Sequence, residues 1–278
     1  MSAPSRRGWL DRLLLLALAL LAVLWMLPLL WVLGLSFKPN AFLQSHTDII
    51  FSGPHTLGNY VDIFRTSRVF RWLANSAIVA LCQTIGVLAL SSLAGYGFAR
   101  TRFPGRKVLF VIVMFGLAVP GQSTFIPLHR LFTEWNLQNT YAGLVLPGLA
   151  APFGVYLMTQ YFKAIPIELE EAAMLDNASR LKTFLMVVLP LTLPAQATLG
   201  IMTFLGSWNE YLWPLVIATR PDMYTLTRGL ASTQTNFAQS EGLGFLMAQA
   251  VFAGLPVLII YFFFQRYLVA AAAGTGRR

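Results

Sequence analysis

Long apolar segments separated by shorter polar stretches dominate the sequence. A transmembrane helix needs about 20 mostly apolar residues, and six segments meet this requirement, with charged residues only at Glu210 in the fifth and Arg266 at the end of the sixth. The segments are 13–36, 72–99, 108–129, 138–162, 191–218 and 242–266. This pattern predicts an all-α integral membrane protein, a single transmembrane domain that crosses the membrane six times and ends in a tail at 267–278.

Three polar stretches between the spans are long enough to have structure of their own. Residues 37–71 contain turn signals, and a short surface helix is predicted over 60–71. Residues 219–241 are rich in Thr, Ser, Gln and Asn and form a second loop on the same side. Residues 163–190 lie on the opposite side of the membrane.

The segment 163–190 predicts two short helices joined by a sharp turn. Pro166 suits a first helical turn, and the acidic residues after it complement the helix dipole. Asn177 can adopt the left-handed conformation that ends a helix, and Ser179 can cap a second one. A DNA-binding helix-turn-helix has the same outline, but this unit is strung between two membrane spans and holds four acidic residues against three basic ones.

The placement of basic residues indicates which side faces the cytoplasm. An even number of spans puts both termini on one side, and cytoplasmic loops carry an excess of Lys and Arg. With the termini inside, 13 of the 20 basic residues are cytoplasmic, four of them in the short loop 100–107. Both termini are therefore predicted to be cytoplasmic, although Arg65, Arg68 and Arg71 fall in the long outer segment.

Composition narrows the possible functions. Hydrophobic residues make up 56% of the chain and charged residues 11%, whereas soluble domains carry about 25% charged residues. A net charge of +9 would indicate nucleic acid as the partner of a soluble protein, but here it reflects basic cytoplasmic loops, so no nucleic-acid partner is predicted. Cys82 is the single cysteine and the three histidines are scattered, so neither a disulfide nor a metal site is predicted.

Several motifs match a known family in the order in which they occur. Between spans four and five these are Glu171-Ala172-Ala173, Asp176, Ala178, Phe184 and Leu189-Pro190. Elsewhere they are Asn75-Ser76, residues 94–100, Phe103-Pro104-Gly105, residues 208–215 and Gln265-Arg266. The first set resembles the EAA loop of binding-protein-dependent ABC importer permeases, and together the motifs resemble the maltose-transporter G-type permeases of the carbohydrate-uptake family. Asn177 replaces the family's usual glycine, and the tail lacks its usual glycine-led ending.

The resemblance implies a type I ABC importer permease with a cytoplasmic coupling loop at 163–190, in the bacterial cytoplasmic (inner) membrane. The chain has no G-x-x-x-x-G-K-[ST] motif, so ATP and Mg²⁺ would be bound by two partner ATPase subunits, and no cofactor by this chain. The other implied partners are a second, homologous permease, a periplasmic or lipid-anchored substrate-binding protein, and membrane lipid. The residues implied to couple the chain to the ATPase are Glu171, Ala172, Ala173, Asp176, Asn177, Arg180, Leu189 and Pro190.

Polar residues within the spans are candidates for the substrate path, because polar groups in a membrane are costly. The candidates are Trp208, Asn209, Glu210, Tyr211, Gln122, Ser123, Thr124 and Asn75. The first four suit sugar recognition but also an interfacial belt, and residues 122–124 also suit the repair of a proline-broken helix. Asn75 and Gln83 either line the path or hold helices together, and the second role is favoured.

The outer loop 219–241 is the predicted contact for the substrate-binding protein, through Tyr224, Thr225, Gln234 and Asn236. The predicted function is carbohydrate import, with glycerol-phosphate or another anionic polyol or sugar as the alternative substrate. A proton-coupled secondary transporter would use Glu210, but six helices without an internal repeat argue against it. A membrane-embedded enzyme would need a cluster of titratable groups at one depth, and only Glu210 lies near the membrane.

Overall fold

Helices are the regular secondary structure throughout the part of the chain that is described. The computed structural model describes residues 7–45, 53–66, 68–234 and 242–274, and none of these residues lies in a β-strand. The helices are α1 (Arg7–Ser36), α2 (Asn40–Ser45), α3 (Gly58–Thr66), α4 (Val69–Arg100), α5 (Arg106–Phe115), α6 (Gly121–Glu134), α7 (Tyr141–Val145), α8 (Pro152–Ala164), α9 (Glu168–Leu175), α10 (Arg180–Thr183), α11 (Leu189–Leu191), α12 (Leu193–Asn209), α13 (Leu212–Ile217), α14 (Leu226–Gln234) and α15 (Gly242–Gly274). A 3₁₀ turn at Leu146–Leu149 follows α7, and a π-helical turn at Phe184–Val188 joins α10 to α11. The prediction of an all-α protein is confirmed.

The chain forms two compact units. The first comprises Met1–Val69 and Leu230–Leu255, and the second Phe70–Gly229 and Pro256–Arg278. All the residues of the predicted coupling loop and substrate path lie in the second unit.

In the first unit, two asparagines hold the ends of helices together. The side-chain amide of Asn59, in α3, donates to the backbone oxygens of Ser36 and Lys38, at 2.8 and 2.9 Å. Asn40 Oδ1 accepts a hydrogen bond from the backbone nitrogen of Gly244 at 2.9 Å and so satisfies the start of α15. Most of α1 is apolar and exposed, as expected of a helix whose surroundings are lipid tails.

Two apolar cores fill the second unit. One contains Phe132, Leu144, Trp213 and Ile217, which come from α6, α7 and α13. The other joins α8 to the π-helical turn and α12 through Met158, Phe162, Phe184, Val188 and Leu199. These cores position the two regions that carry the predicted site residues.

Five of the predicted spans have counterparts among the described helices. Three helices are long and apolar enough to cross a membrane alone, at Asp11–Ser36, Val69–Arg100 and Gly242–Ile259. Two further spans are bent pairs, Tyr141–Leu149 with Pro152–Ala164, bent by 49°, and Arg180–Leu191 with Leu193–Asn209, bent by 77°. The first bend falls within the predicted span 138–162. The second falls at Thr192, at the start of the predicted span 191–218, which is interrupted again between α12 and α13.

The predicted third span, 108–129, is not one helix. Helix α5 ends at Phe115 and α6 begins at Gly121. Pro120 stands before α6 with an extended backbone (φ −63°, ψ 126°), and proline has no N–H with which to continue a helix. A crossing by this segment stays a prediction.

Two smaller predictions were wrong at their boundaries. The surface helix expected over 60–71 is α3 and ends at Thr66, while Arg71 already belongs to α4. Pro166 precedes the first helix of the coupling loop, which begins at Glu168. The predicted tail 267–278 is helical as far as Gly274, in keeping with its run of alanines, the residue with the highest helix propensity. Its boundary with the sixth span stays a prediction, and residues 275–278 lie outside the described residues.

Candidate functional site

The segment 163–190 forms the predicted pair of short helices. The first turn of α9 carries Glu168, Glu170 and Glu171. Asn177 has a φ of +58°, the left-handed conformation that ends a helix, and Ser179 Oγ accepts a hydrogen bond from the backbone nitrogen of Lys182 at 3.3 Å. The turn and the cap predicted from the sequence are therefore confirmed.

Most residues of the predicted coupling set are accessible on this pair of helices. Ala173 is half-buried, and the exposed members are Glu171, Ala172, Asp176, Asn177 and Arg180. Three of these exposed side chains are charged, so this surface offers polar contacts. Beside them, the small side chains of the two alanines leave room for a partner to approach.

Leu189 and Pro190 have a different position. They lie in α11, where Leu189 packs against the core around Met158. The backbone oxygen of Leu189 accepts hydrogen bonds from Thr192 Oγ1 at 2.8 Å and Gln196 Nε2 at 2.7 Å. Leu189 therefore holds the joint between α11 and α12, whereas Pro190 is exposed beside it.

A buried carboxylate behind α9 was missed by the sequence analysis. Glu170 is only 4% exposed, and its Oε1 lies 2.6 Å from Nε of Arg100, the last residue of α4. The hydroxyl of Tyr96 donates to the other oxygen, Oε2, at 2.9 Å, and the Arg100 guanidinium also donates to the backbone oxygen of Ile165. The sequence did contain a signal for this pair. Arg100 ends the second predicted span on the same side of the membrane as the loop that carries the adjacent Glu170 and Glu171.

The substrate-path candidates converge in part on one cleft. Gln122, Thr124 and Glu210 line a cleft of about 310 Å³ together with Gln83. The rings of Phe125 and Trp213 complete its apolar side and meet edge to face at a centroid distance of 5.8 Å. Two amides, a hydroxyl and a carboxylate beside aromatic rings match the general composition of small-molecule sites.

The remaining candidates near this cleft do not line it. Ser123 is exposed, Trp208 is buried and stacks on Phe204 at 5.6 Å, and the Asn209 amide donates to the backbone oxygen of Leu205 at 2.9 Å. Tyr211 is exposed beside them. Of the four residues 208–211, the structure brings only Glu210 to the cleft.

Glu210 also has a structural role. Its Oε1 accepts hydrogen bonds from the backbone nitrogens of Leu212 and Trp213, at 2.9 and 3.3 Å. It therefore caps the short helix α13, which restarts the chain after the break at the end of α12. The break and the cap together hold a carboxylate at the wall of the cleft.

Asn75 holds helices and loops together, the role favoured from the sequence. It is fully buried, and its amide donates to the backbone oxygens of Asp222 and Tyr224, at 2.9 and 2.8 Å. Its Oδ1 accepts a hydrogen bond from the Tyr141 hydroxyl at 2.8 Å. These hydrogen bonds occupy the polar atoms of the Asn75 side chain, so Asn75 serves packing rather than the substrate path. Gln83, for which the sequence favoured the same packing role, instead lines the cleft.

The predicted contacts for a binding protein are spread along the loop 219–241. Tyr224 is half-buried, with the guanidinium of Arg228 lying 4.2 Å from its ring centroid, and Thr225 is buried. Gln234 ends α14, and Asn236 lies outside the described residues. Among the described residues, no group of three His, Cys, Asp or Glu side chains could hold a metal ion.

Comparisons with known proteins point to one family. Residues 87–273 match the family described as binding-protein-dependent transport system inner membrane component. The arabinooligosaccharides transport system permease protein AraQ of Halalkalibacterium halodurans is 34% identical over 84% of this chain and 85% of its own length. The diacetylchitobiose uptake system permease protein NgcG of Streptomyces coelicolor is 32% identical over 83% of this chain and 80% of its own. The sn-glycerol-3-phosphate transport system permease protein UgpE of Pectobacterium atrosepticum is 30% identical over 92% of both.

The fold also matches that of a solved structure. One chain of a bacterial ABC transporter involved in the import of the acidic polysaccharide alginate superposes with a TM-score of 0.81. The alignment covers 96% of this chain and 99% of the other, at 22% sequence identity. This likeness shows the fold.

Proposed function

This chain belongs to the inner membrane components of binding-protein-dependent transport systems, and we propose that it translocates a carbohydrate as one permease subunit of an ATP-driven importer. It is a transport component rather than an enzyme. The relatives AraQ and NgcG are named for arabinooligosaccharides and diacetylchitobiose, which supports an oligosaccharide or a sugar derivative as the substrate class. Membership of this family disfavours a proton-coupled transporter, and the helix-capping role of Glu210 provides a structural reason for its carboxylate.

The observation that carries the proposal is the exposed surface of α9 and the turn after it. Glu171 and Asp176 are free to meet a partner there, and the half-buried Ala173 lets a second backbone approach closely. We assign this surface to docking with an ATPase subunit, which binds ATP and Mg²⁺. The complete importer would contain two ATPase subunits, a second homologous permease and a periplasmic or lipid-anchored binding protein, with both termini of this chain in the cytoplasm.

Reversing the charge of Glu171 is expected to detach the ATPase. A tagged chain is expressed with its native gene neighbourhood, and the proteins recovered in detergent are compared between wild type and Glu171→Lys. Loss of a desolvated charge contact should lower ATPase recovery about tenfold or more. The fold should persist because Glu171 is exposed.

The matched control is Glu134→Lys, the same charge change at an exposed residue of α6. It should recover the ATPase as wild type does. Recovery of the chain alone from wild type, in a form that still transports, would contradict the proposed function.

The cleft at Glu210 is our candidate for the substrate path of this subunit. Its polar groups can form hydrogen bonds with sugar hydroxyls, and the Phe125 and Trp213 rings offer apolar surface. Tyr224, partly accessible on the outer loop, is the best-placed described candidate for contact with the binding protein. Thr225 is buried and would act only through its neighbours.

Removing one amide from the cleft is expected to slow transport without changing assembly. The Gln122→Ala variant should lower uptake about three- to tenfold, because this factor corresponds to the free energy of one lost hydrogen bond. Ser123→Ala is the matched control, because Ser123 is adjacent and exposed but does not line the cleft. Uptake of labelled sugar by vesicles with equal ATPase content is the measurement, and equal uptake by the two variants would remove the cleft from the path.

A second substrate class has one supporting observation. The relative UgpE is named for sn-glycerol-3-phosphate, so an anionic polyol or sugar phosphate is the alternative cargo. Competition of labelled oligosaccharide uptake by glycerol 3-phosphate distinguishes the two classes.

A further inference from the structure

The exposed helix α9 is attached to α4 through buried charges. The side chains of Arg100 and Glu170 are 11% and 5% exposed, although charged residues are almost never fully buried unless they are paired. Within the described part of the chain, Arg100 Nε and Glu170 Oε1 have no aligned hydrogen-bond partner, so their 2.6 Å contact is held by charge. A contact of this kind resists separation because a buried charge left without its partner is strongly unfavourable.

Tyr96 extends this attachment in two directions. Its hydroxyl binds the Glu170 carboxylate, and its ring packs against Phe184 at 4.7 Å and Phe162 at 5.9 Å between centroids. Phe184 begins the π-helical turn and Phe162 lies in α8. One side chain of α4 therefore touches α8, α9 and the segment that leads to α12.

Arg100 supports the start of the same helix. Its guanidinium donates to the backbone oxygen of Ile165, three residues before the first residue of α9. The contacts of α4 therefore reach both the residue that leads into α9 and the inward side of its first turn.

The covalent route from α9 to α12 is less direct. It passes the left-handed turn at Asn177, the π-helical turn Phe184–Val188 and a bend of 77° between α11 and α12. Irregular turns of this kind absorb changes in backbone angle. A displacement of α9 would be partly taken up along this route, whereas the buried contacts to α4 contain no such joint.

We propose that Glu170, Arg100 and Tyr96 form a clamp that makes α9 and the cytoplasmic end of α4 move as one body, so that α4 receives the movement of the docked ATPase. This inference rests on the proposed function, since it needs an ATPase on the exposed side of α9. Glu171 and Glu170 then have different roles at adjacent positions. Glu171 docks the ATPase, and Glu170 passes the movement of the ATPase on to α4. Glu170, Arg100 and Tyr96 act as positioning residues.

The first test is the amount of substrate transported for each ATP hydrolysed. In the complete reconstituted complex, Glu170→Gln keeps the size of the side chain and removes its charge. The ratio should fall about tenfold, while ATPase recovery and hydrolysis persist, because the exposed docking surface is unchanged. Tyr96→Phe keeps the ring contacts and should lower the ratio about threefold. A purely structural role would lower the yield of the complex and leave this ratio unchanged.

The control is Glu134→Gln, which removes the same charge from an exposed pair with Arg130 and should keep the wild-type ratio. A Glu170→Gln complex that contains the ATPase and transports with the wild-type ratio overturns the clamp alone. Absence of an ATPase from the wild-type complex overturns the clamp and the proposed function together.

The second test needs no change in the clamp. Cys82 is exposed and is replaced by alanine, and spin labels are placed at the exposed residues Leu175 in α9 and Leu93 in α4. Their distance should stay the same between the nucleotide-free complex and the complex with a non-hydrolysable ATP analogue. The distance from Leu175 to a label at the exposed Met202 of α12 should change. A Leu175–Leu93 distance that changes at least as much as the Leu175–Met202 distance overturns the proposal even if Glu170→Gln fails to assemble.

Discussion

Replacing Gly95 by leucine is expected to destabilise the second unit strongly, whereas replacing Gly97 by alanine should leave its stability intact. A β-carbon on Gly95 would lie 2.8 Å from Cβ of Met158 and 3.0 Å from the backbone nitrogen of Thr159. The obstacle is thus largely the backbone of α8, which cannot move aside as a flexible side chain can. Forcing a large side chain into this contact should cost about 3 kcal/mol or more.

The same helix supplies the matched control. A β-carbon on Gly97 would meet only Thr101 Oγ1, at 4.0 Å, and alanine is favoured over glycine in a helix by about 0.5–1 kcal/mol. The same glycine-to-alanine substitution should therefore have different effects at the two positions. Gly95→Ala should lower the thermal stability of the detergent-solubilised protein, and Gly97→Ala should keep or raise it. Size-exclusion profiles after heating provide the measurement, and equal stability of the two alanine variants would mean that α4 and α8 do not approach this closely.

The apolar spans were predictable because run length and hydrophobicity are local properties of the chain. The breaks within them were only partly predictable. Pro120 is visible in the sequence, but a proline in a membrane segment can kink a helix or divide it, and neighbouring groups decide between these outcomes. The division between α5 and α6, and the 77° bend before α12, therefore required the structure.

The two adjacent glutamates show where sequence reasoning ends. Successive residues on a helix point about 100° apart, since one turn takes 3.6 residues, so Glu170 and Glu171 were certain to face different directions. Which one faces inward depends on Arg100, which lies far away in the sequence. The family motif drew attention to Glu171, and the buried position of Glu170 followed only from the packing of α9 against α4.

Gln83 and Asn75 illustrate the same limit for amides in membrane spans. Both can either line a path or form hydrogen bonds within the protein, and the sequence favoured the second role for both. The Gln83 side chain packs against Gly148, where there is no room for a β-carbon, and from there it lines the cleft. The polar atoms of Asn75 instead form hydrogen bonds within the protein. Tertiary neighbours, not residue type, separate these outcomes.

Replacing Asn75 by leucine is expected to destabilise the second unit by about 3 kcal/mol or more, since each buried polar group left without its partner costs about 1–3 kcal/mol. The change would remove both donors to the loop oxygens of Asp222 and Tyr224 and the acceptor of the Tyr141 hydroxyl. The Asp222 oxygen would retain a longer hydrogen bond from Arg71 Nε, at 3.3 Å, so the Tyr224 oxygen and the Tyr141 hydroxyl carry most of the loss.

Two further variants separate the hydrogen bonds from the packing. Asn75→Asp keeps the shape of the side chain but removes both donors, so it should destabilise the protein at least as much as Asn75→Leu. Tyr141→Phe removes only the third hydrogen bond and should cost about 1 kcal/mol. The midpoints of thermal unfolding in detergent rank the three variants. An Asn75→Asp protein as stable as wild type would show that the amide does not hold the loop at Asp222 and Tyr224, and would return Asn75 to the candidates for the substrate path.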